Sequence, residues 1–476
     1  MSKIKGRSTK GIPSWVLSLP SEDRFPGWPL VGGGVASTFT NLSAGLKRIY
    51  SDETFEYAQN AASPLVELFE EADEIEPEGA GYFWPFMLRS PQNIGTPAEA
   101  GNVPPIKQRT EIQGSLNAGQ FVGGFEISFL LEAVGTARGT WNKGEVKKHS
   151  FDTLRDLVKH RNRIYAGTHG TGRIATVQTT TSSLNTFVAS LSTTGAGFGG
   201  AGFGALLLRP NMLIDVYTLD VGGASVITSR KITDIAKATR TVTFDGAAAS
   251  LTAGQHVYIA GSYGQTTVPN GLMGLVDDGE FLDVIHGQSR TTNPELKGLV
   301  MRNGGTLRAI DEDLLIGGGL VLRTDSDSAI DAMVMNVGQY LKYIKSVRPT
   351  RYQDLAGGRG PLRYMGGTGG DETIAFFFDG RPIRRVVAED VAPRHVYGID
   401  LSAMRWAPIR RLGWYDHGGG SMFIQGADSG GLKTTRQATM YSIENIGTLA
   451  PWAHIRYQDC SDPLLCGPIY GGSDTV

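Results

Sequence analysis

Cysteine is nearly missing: only Cys460 and Cys466 occur in 476 residues. Their spacing fits no Cys-x-x-Cys metal or redox pair, and so few thiols suit synthesis in a reducing compartment. An excess of either charge is missing too. The 45 basic and 47 acidic residues leave a formal net charge of −2, which argues against a whole-protein electrostatic grip on nucleic acid. No apolar run approaches the ~20 residues that cross a bilayer as a helix, so no membrane partner is expected. The eight histidines (His149, His160, His169, His256, His286, His395, His417 and His454) show neither His-x-His nor His-x-x-x-His spacing, and neither cysteine lies near one. No metal is expected on that ground. A Gly-x-Ser-x-Gly nucleophile elbow is also lacking. No catalytic, cofactor-binding or metal-binding residue is assigned, and the chain is expected not to be an enzyme.

Glycine, by contrast, is abundant: 64 residues, nearly twice the usual ~7%. The motif that most suggests chemistry is glycine-rich, GTHGTG within "RNRIYAGTHGTGRIATV", Arg161 to Val177. Phosphate loops follow a strand and open a helix, whose N-terminus faces the anion. Here the order is reversed. Phe151, Leu154, Leu157, Val158, Ile164 and Tyr165 recur at helical spacing upstream. Ser150 suits the N-cap, Asp152 the first turn, and Arg161 and Arg163 the last. Gly167 is expected to end the helix in a left-handed conformation. The glycines then sit at the negative helix end, and Gly167, Gly170 and Gly172 match neither a P-loop nor Gly-x-Gly-x-x-Gly. A cap and turn are expected.

Two further clusters have a chemical and a mechanical reading. In "WYDHGGG", Asp416 adjoins His417, but sequence neighbours point to opposite faces of a strand, and an exposed turn is expected. Arg155, Lys159 and Arg163 at i, i+4 spacing form a basic stripe, read as a solvated face or as a contact for a neighbour's acids or packaged nucleic acid.

Along the chain, the first 50 residues are rich in Gly, Ser and Pro with weak periodicity. Lys3, Lys5, Arg7 and Lys10 make the start basic, and it reads as an arm, not a signal peptide. Residues 51–71 read as helix, with Phe55, Ala58, Leu65, Leu68 and Phe69 as apolar markers. Seven acids then fall between Glu67 and Glu78, a solvated face or a docking site for a basic segment of another copy. Two strand-like stretches, 83–88 and 120–131, flank a proline-rich middle and suggest a protruding two-stranded arm. The low-complexity run from Thr179 to Leu208, with GAGFGG and GAGFGA from Gly195 to Ala205, suggests a hinge or tight crossing. Residues 212–262 read as short strands separated by turns such as Asp245-Gly246, a small barrel inserted as a module. In "IDAMVMNVGQYLKYIKSVRP" a buried strand feeds a helix. Asn336 and Gln339 resemble a capping box, Val337, Tyr340, Leu341 and Ile344 supply its face, and Pro349 ends it. "TIAFFFDGRPIRRV" reads as strand, turn and strand, and the stretch from Thr435 to Asp459 as strands.

An arm, a protruding loop, a glycine hinge and an inserted barrel are parts that need neighbours, which points to a chain completed by copies of itself. From about Ser51 to Asp459 the order of these parts resembles the major capsid proteins of tailed double-stranded-DNA bacteriophages, whose fold encapsulin shells and the herpesvirus capsid floor share. The likeness is carried by "FDTLRDLVKHRNRIYAGTHGTG", "GLMGLVDDG", "IDAMVMNVGQYL" and "IAFFFDGRPI".

That resemblance implies an α+β fold with an N-terminal arm at 1–75 and an extended two-stranded loop at 76–120. A peripheral domain at 121–211 would hold a spine helix at about 146–166. The β-barrel-like insertion would take 212–262, with a return to the peripheral domain at 263–289. An axial domain at 290–435 would crowd the five- and six-fold centres, and peripheral strands with a tail would take 436–476. It further implies pentamers and hexamers in an icosahedral virion shell, made in the host bacterial cytoplasm. The shell would enclose DNA without sequence-specific binding, and scaffolding, portal and decoration proteins would be its partners. Lys107 lies where some relatives place a crosslinking lysine, but no partner asparagine is recognisable, so that chemistry is not carried over. Alternatives are an encapsulin-like nanocompartment shell, or a β-rich enzyme or adhesin. One contact is expected between copies, Lys3–Lys10 on the Glu67–Glu78 acids.

Overall fold

The computed structural model describes residues 29–31, 64–78, 81–89, 96, 99, 101–102, 108–129, 141–167, 172–190, 207–219, 222–236, 241–265, 267–280, 282–346, 376–378, 381–415, 423–428 and 431–461. The fold is mixed α+β and divides into two compact units. One comprises Met1–Gln59, Val122–Arg155 and Leu412–Tyr441, the other Asn60–Phe121, Asp156–Arg411 and Ser442–Val476.

In the first unit the strand Phe423–Asp428 turns back antiparallel on the strand that begins at Gly431, pairing Phe423 with Ala438 and Asp428 with Gly431. Pro29–Val31 pairs parallel with its other edge. Ile424, Ala438 and Met440 are buried. Trp414 meets Phe125 edge to face at 5.9 Å. The Thr435 hydroxyl donates to the buried Glu126 carboxylate.

The second unit holds a closed six-stranded barrel. Its strands run in the order Ser225–Ala236, Thr241–Phe244, Thr186–Ser190, Arg173–Val177, His256–Ile259 and Leu213–Tyr217. Ile174, Val177, Phe187, Ile214, Val216, Ile232, Val242, Phe244 and Val257 fill its interior. Closure depends on the long strand Ser225–Ala236, which pairs with Leu213–Tyr217 early and with Thr241–Phe244 late. Register shifts at Ile227/Arg230 and Ile232/Asp234 bend it between its two partners. At the bend Ser229 has φ +48°, and its N–H donates to Asp215 Oδ1 at 2.6 Å. The barrel is larger than the expected 212–262 module. Strands at 173–177 and 186–190 complete it, so part of the run read as a low-complexity hinge is barrel wall. Ser- and Thr-rich composition hid the alternation that buries Phe187 and Ala189. Gly195–Ala205 lies outside the described residues.

A second, mixed sheet of six strands is ordered Leu299–Met301, Ile455–Tyr457, Val396–Ile399, Ala332–Met335, Arg381–Val387 and Phe376–Phe378. All four residues of Ala332–Met335 are buried, as a strand covered on both faces requires. The Phe376–Phe378 and Arg381–Val387 hairpin matches the sequence reading. Ile455–Tyr457 falls in the stretch read as strands, and it sits inside this sheet between Leu299–Met301 and Val396–Ile399. Three residues carry too little pattern to reveal their partners.

The helix Glu312–Ser326 packs on this sheet through Leu315 and Leu322. Asp311 caps it by accepting from Leu314 N at 2.9 Å, and Asp327 ends it at φ +54°. Residues 337–346 form the helix expected after the buried strand. Gln339 Oε1 accepts from Asn336 N at 3.2 Å, the capping-box bond. Leu341 is exposed and Tyr343 buried in its place. Pro349 lies outside the described residues.

The protruding ribbon is paired differently from the expectation. Gly81–Arg89 pairs with Thr110–Asn117, from Gly81 opposite Asn117 to Arg89 opposite Thr110. The stretch read as its partner, Gln120–Ser128, pairs instead with Gly431–Thr448. Gly114 broke the apparent strand pattern, yet it is what the ladder needs: a Cβ there would lie 2.5 Å from the Phe86 ring.

Candidate functional site

The helix carrying the basic stripe spans Trp141–Gly167, longer than the expected 146–166, so Ser150 is interior and not its cap. Gly167 is its last residue but is absent from the positive-φ positions; Gly172, at φ +76°, makes the left-handed turn. What Gly167 supplies is space, since a Cβ would stand 3.0 Å from Leu207 Cδ1. The strand Arg173–Val177 follows. The loop therefore runs from a helix C-terminus into a barrel wall. His169 and Gly170 lie outside the described residues.

The stripe itself divides. Arg155 is half-buried, Lys159 exposed and Arg163 buried, with Arg163 Nε 3.9 Å from Asp390 Oδ1. Burial, more than the opposing pull of Asp390, lowers the Arg163 pKa. A continuous basic surface is thus excluded, because the third member faces inward.

Arg161, read only as a last-turn base, is part of a buried ionic cluster. Its Nε donates to Glu444 Oε1 at 2.6 Å and its Nη2 to Glu444 Oε2 at 2.8 Å and to Glu70 Oε1 at 3.1 Å. Tyr165 Oη donates to Glu444 Oε1 at 2.8 Å. Burial works against the Arg161 charge, yet Glu444, Tyr165 and Glu70 hold its pKa above the ordinary range; burial and then Glu444 push Tyr165 up. A second cluster joins "GLMGLVDDG" to the sheet. Arg456 Nη2 donates to Asp277 Oδ1 at 2.9 Å, and Arg290 Nη1 lies 3.8 Å from Asp277 Oδ2. Arg290 also donates to the carbonyls of Leu296, Leu282, Gly274 and Leu275. Both sets bind protein partners across long sequence distances and act as internal fasteners.

Among the described histidines only His286 and His454 come together, each hydrogen-bonded to Thr448. His286 and His454 are buried, with pKa values lowered to about 3 and about 4, in both cases chiefly by burial. Thr448 N donates to His286 Nε2 at 3.2 Å. His160 packs edge to face on Phe121 at 5.9 Å. His256 contacts Arg173, and His395 packs on Tyr397. Among the described residues no group of three or more His, Cys, Asp or Glu could hold a metal ion. Cys460 is buried, and burial pushes its thiol to about 12. Cys466, Asp416, His417 and Lys107 lie outside the described residues.

The acidic run is largely occupied within the chain. Glu70 pairs with Arg161 and Glu71 with Arg384. Asp73 pairs with Arg405 at 3.4 Å, and Glu74 with Arg411. Fewer acids are left for a basic arm than the sequence suggested, and Lys3–Lys10 lies outside the described residues. Parallel pairing of Asp73–Glu74 with Arg405–Trp406 sets Asp73 opposite Arg405, which sequence distance concealed.

What the surface does offer is apolar. On the ribbon, Tyr82, Trp84 and Phe86 face inward, and Tyr82 Oη donates to the Ala407 carbonyl at 2.7 Å. Phe83, Pro85 and Met87 alternate onto the outer face and are exposed. Among the described residues the ribbon pairs with no third strand. Beside it, a cavity of about 380 Å³ is lined by Met87, Leu88, Leu299, Leu322 and Trp452, with Lys297 and Asp325 at its polar side.

No family model and no curated protein matches the chain. Among solved structures it is similar to a subunit of the cyanophage A-1(L) capsid, with a TM-score of 0.48 and 11% identity over 87% of this chain and 99% of that one. It is also similar to the capsid of a native GTA particle, at TM-score 0.41 and 9% identity over 90% and 100%. The virus-like particle of Pyrococcus furiosus follows at TM-score 0.32 and 8% identity over 85% and 99%. Each is a distant likeness.

Proposed function

We propose that this chain is a major capsid protein, a non-catalytic subunit that assembles with copies of itself, through pentamers and hexamers, into an icosahedral shell around double-stranded DNA. One observation carries the reading: the Gly81–Arg89 strand of the ribbon is apolar on both of its sides and exposes Phe83, Pro85 and Met87. A lone two-stranded sheet is marginal in water. Here the inner face has Trp84 and Phe86 to anchor it, and Phe83, Pro85 and Met87 face outward, a surface suited to a neighbouring subunit. The near-zero net charge agrees with a container that must release its nucleic acid, since a lining of unpaired arginines would hold phosphates too tightly. The ionic clusters, which tie distant segments of the chain together, support a structural frame in preference to a reactive centre.

Negative-stain microscopy and size-exclusion chromatography of the full chain test this. Closed particles of uniform diameter are expected. Nuclease-protected DNA inside them supports a genome container, whereas an enclosed protein cargo supports a nanocompartment shell. A chain that stays a small oligomer overturns the reading.

A further inference from the structure

The helix Glu312–Ser326 is apolar on two opposite sides. Its inner side, Leu315, Gly318, Gly319 and Leu322, is buried. Gly318 is required there, because a Cβ would lie 2.4 Å from the Tyr457 ring. Half a turn away, the outer side carries Asp313, Ile316, Gly317, Leu320, Val321 and Thr324. Ile316, Leu320 and Val321 are exposed, where a surface helix ordinarily presents polar residues. Beyond its own turn of helix, nothing stands within 4 Å of where a Cβ on Gly317 would lie. Glycine weakens a helix interior, and no contact among the described residues requires it at 317.

Asp313, Ile316, Gly317 and Leu320, at i, i+3, i+4 and i+7, outline the kind of hole into which a side chain of a second helix fits. The same sheet domain displays a matching projection. On the 337–346 helix Leu341 is exposed, and Lys345 is exposed one turn later. The charges complement each other. The first helix carries Glu312, Asp313 and Asp325 against Arg323, while the second carries Lys342 and Lys345 and no acid.

We propose that the occupant of this face is a second copy of the chain: Leu341 of one subunit seats over Gly317 of the next, with the two helices antiparallel and Lys345 directed at Asp313. This rests on the self-assembly reading. The contact is heterologous, hole on one copy and projection on the other, the arrangement that propagates around a ring.

Gly317→Leu fills the hole with a better helix former. The full-length variant is expected to keep or raise its melting temperature while subunit association, followed by sedimentation velocity, falls about tenfold or more. Lys345→Asp is expected to weaken association similarly, and adding Asp313→Lys to restore it. If wild type assembles and Gly317→Leu assembles equally well, or the charge exchange restores nothing, the contact is overturned while the shell reading stands. If wild type stays monomeric at every concentration, both are overturned.

Discussion

Arg161 and Glu444, 283 positions apart in sequence, meet through two parallel N–H···O bonds in a site from which water is excluded. A guanidinium and a carboxylate match in geometry, and burial makes each depend on the other. Removing one charge from a buried pair typically costs about 3–5 kcal/mol. Glu444→Gln is therefore expected to lower unfolding stability by that order in urea denaturation. Replacing both partners with Met should recover much of the loss.

Two buried histidines and the half-buried His160 make stability depend on acid. His286, His454 and His160 have pKa values near 3, 4 and 4 in the folded chain, against about 6.5 once unfolded. The unfolded chain binds their protons first, so stability is complete above about pH 6.5 and declines as pH falls toward 4. His454 alone accounts for up to about 3 kcal/mol of that decline. Denaturation midpoints measured from pH 7 to pH 4 should fall, and His454→Asn should flatten the curve.

Neighbouring glycines should respond oppositely to the same change. Gly318→Ala drives a methyl into Tyr457, whose hydroxyl donates to Leu315 O at 2.9 Å. It should destabilise by about 1–3 kcal/mol, the cost of overpacking. Gly317→Ala meets open space and should stabilise by about 0.5–1 kcal/mol. Thermal melts of the dissociated chain distinguish them.

The two faces of the ribbon should separate folding from assembly. Trp84→Ala removes a buried ring that packs on Phe86 and His286 and should cost about 3–5 kcal/mol. Phe83→Ser on the exposed face should change folding stability by less than about 0.5 kcal/mol, yet reduce particle yield measured by microscopy.

Much of the local structure was legible because periodicity and turn chemistry act within a few residues. The 337–346 helix, its Asn336–Gln339 bond, the Phe376–Val387 hairpin and the strands between 213 and 259 were all readable in that way. Gly167 was misread because a glycine at a helix end can serve either backbone conformation or space. Only the position of Leu207, forty residues on, shows that space is the reason here.

By itself, the sequence determined which stretches become helix or strand, the near-balance of charge, and the scarcity of thiols and paired histidines. These depend on side-chain type and short-range spacing. Tertiary structure alone decided that Thr110–Asn117 and not Gln120–Ser128 completes the ribbon, that 173–177 and 186–190 close the barrel, and that Arg161, Arg290 and Arg456 are turned inward onto carboxylates. Strand pairing and charge burial depend on which distant segments meet, and the pattern of a short segment does not encode its partner.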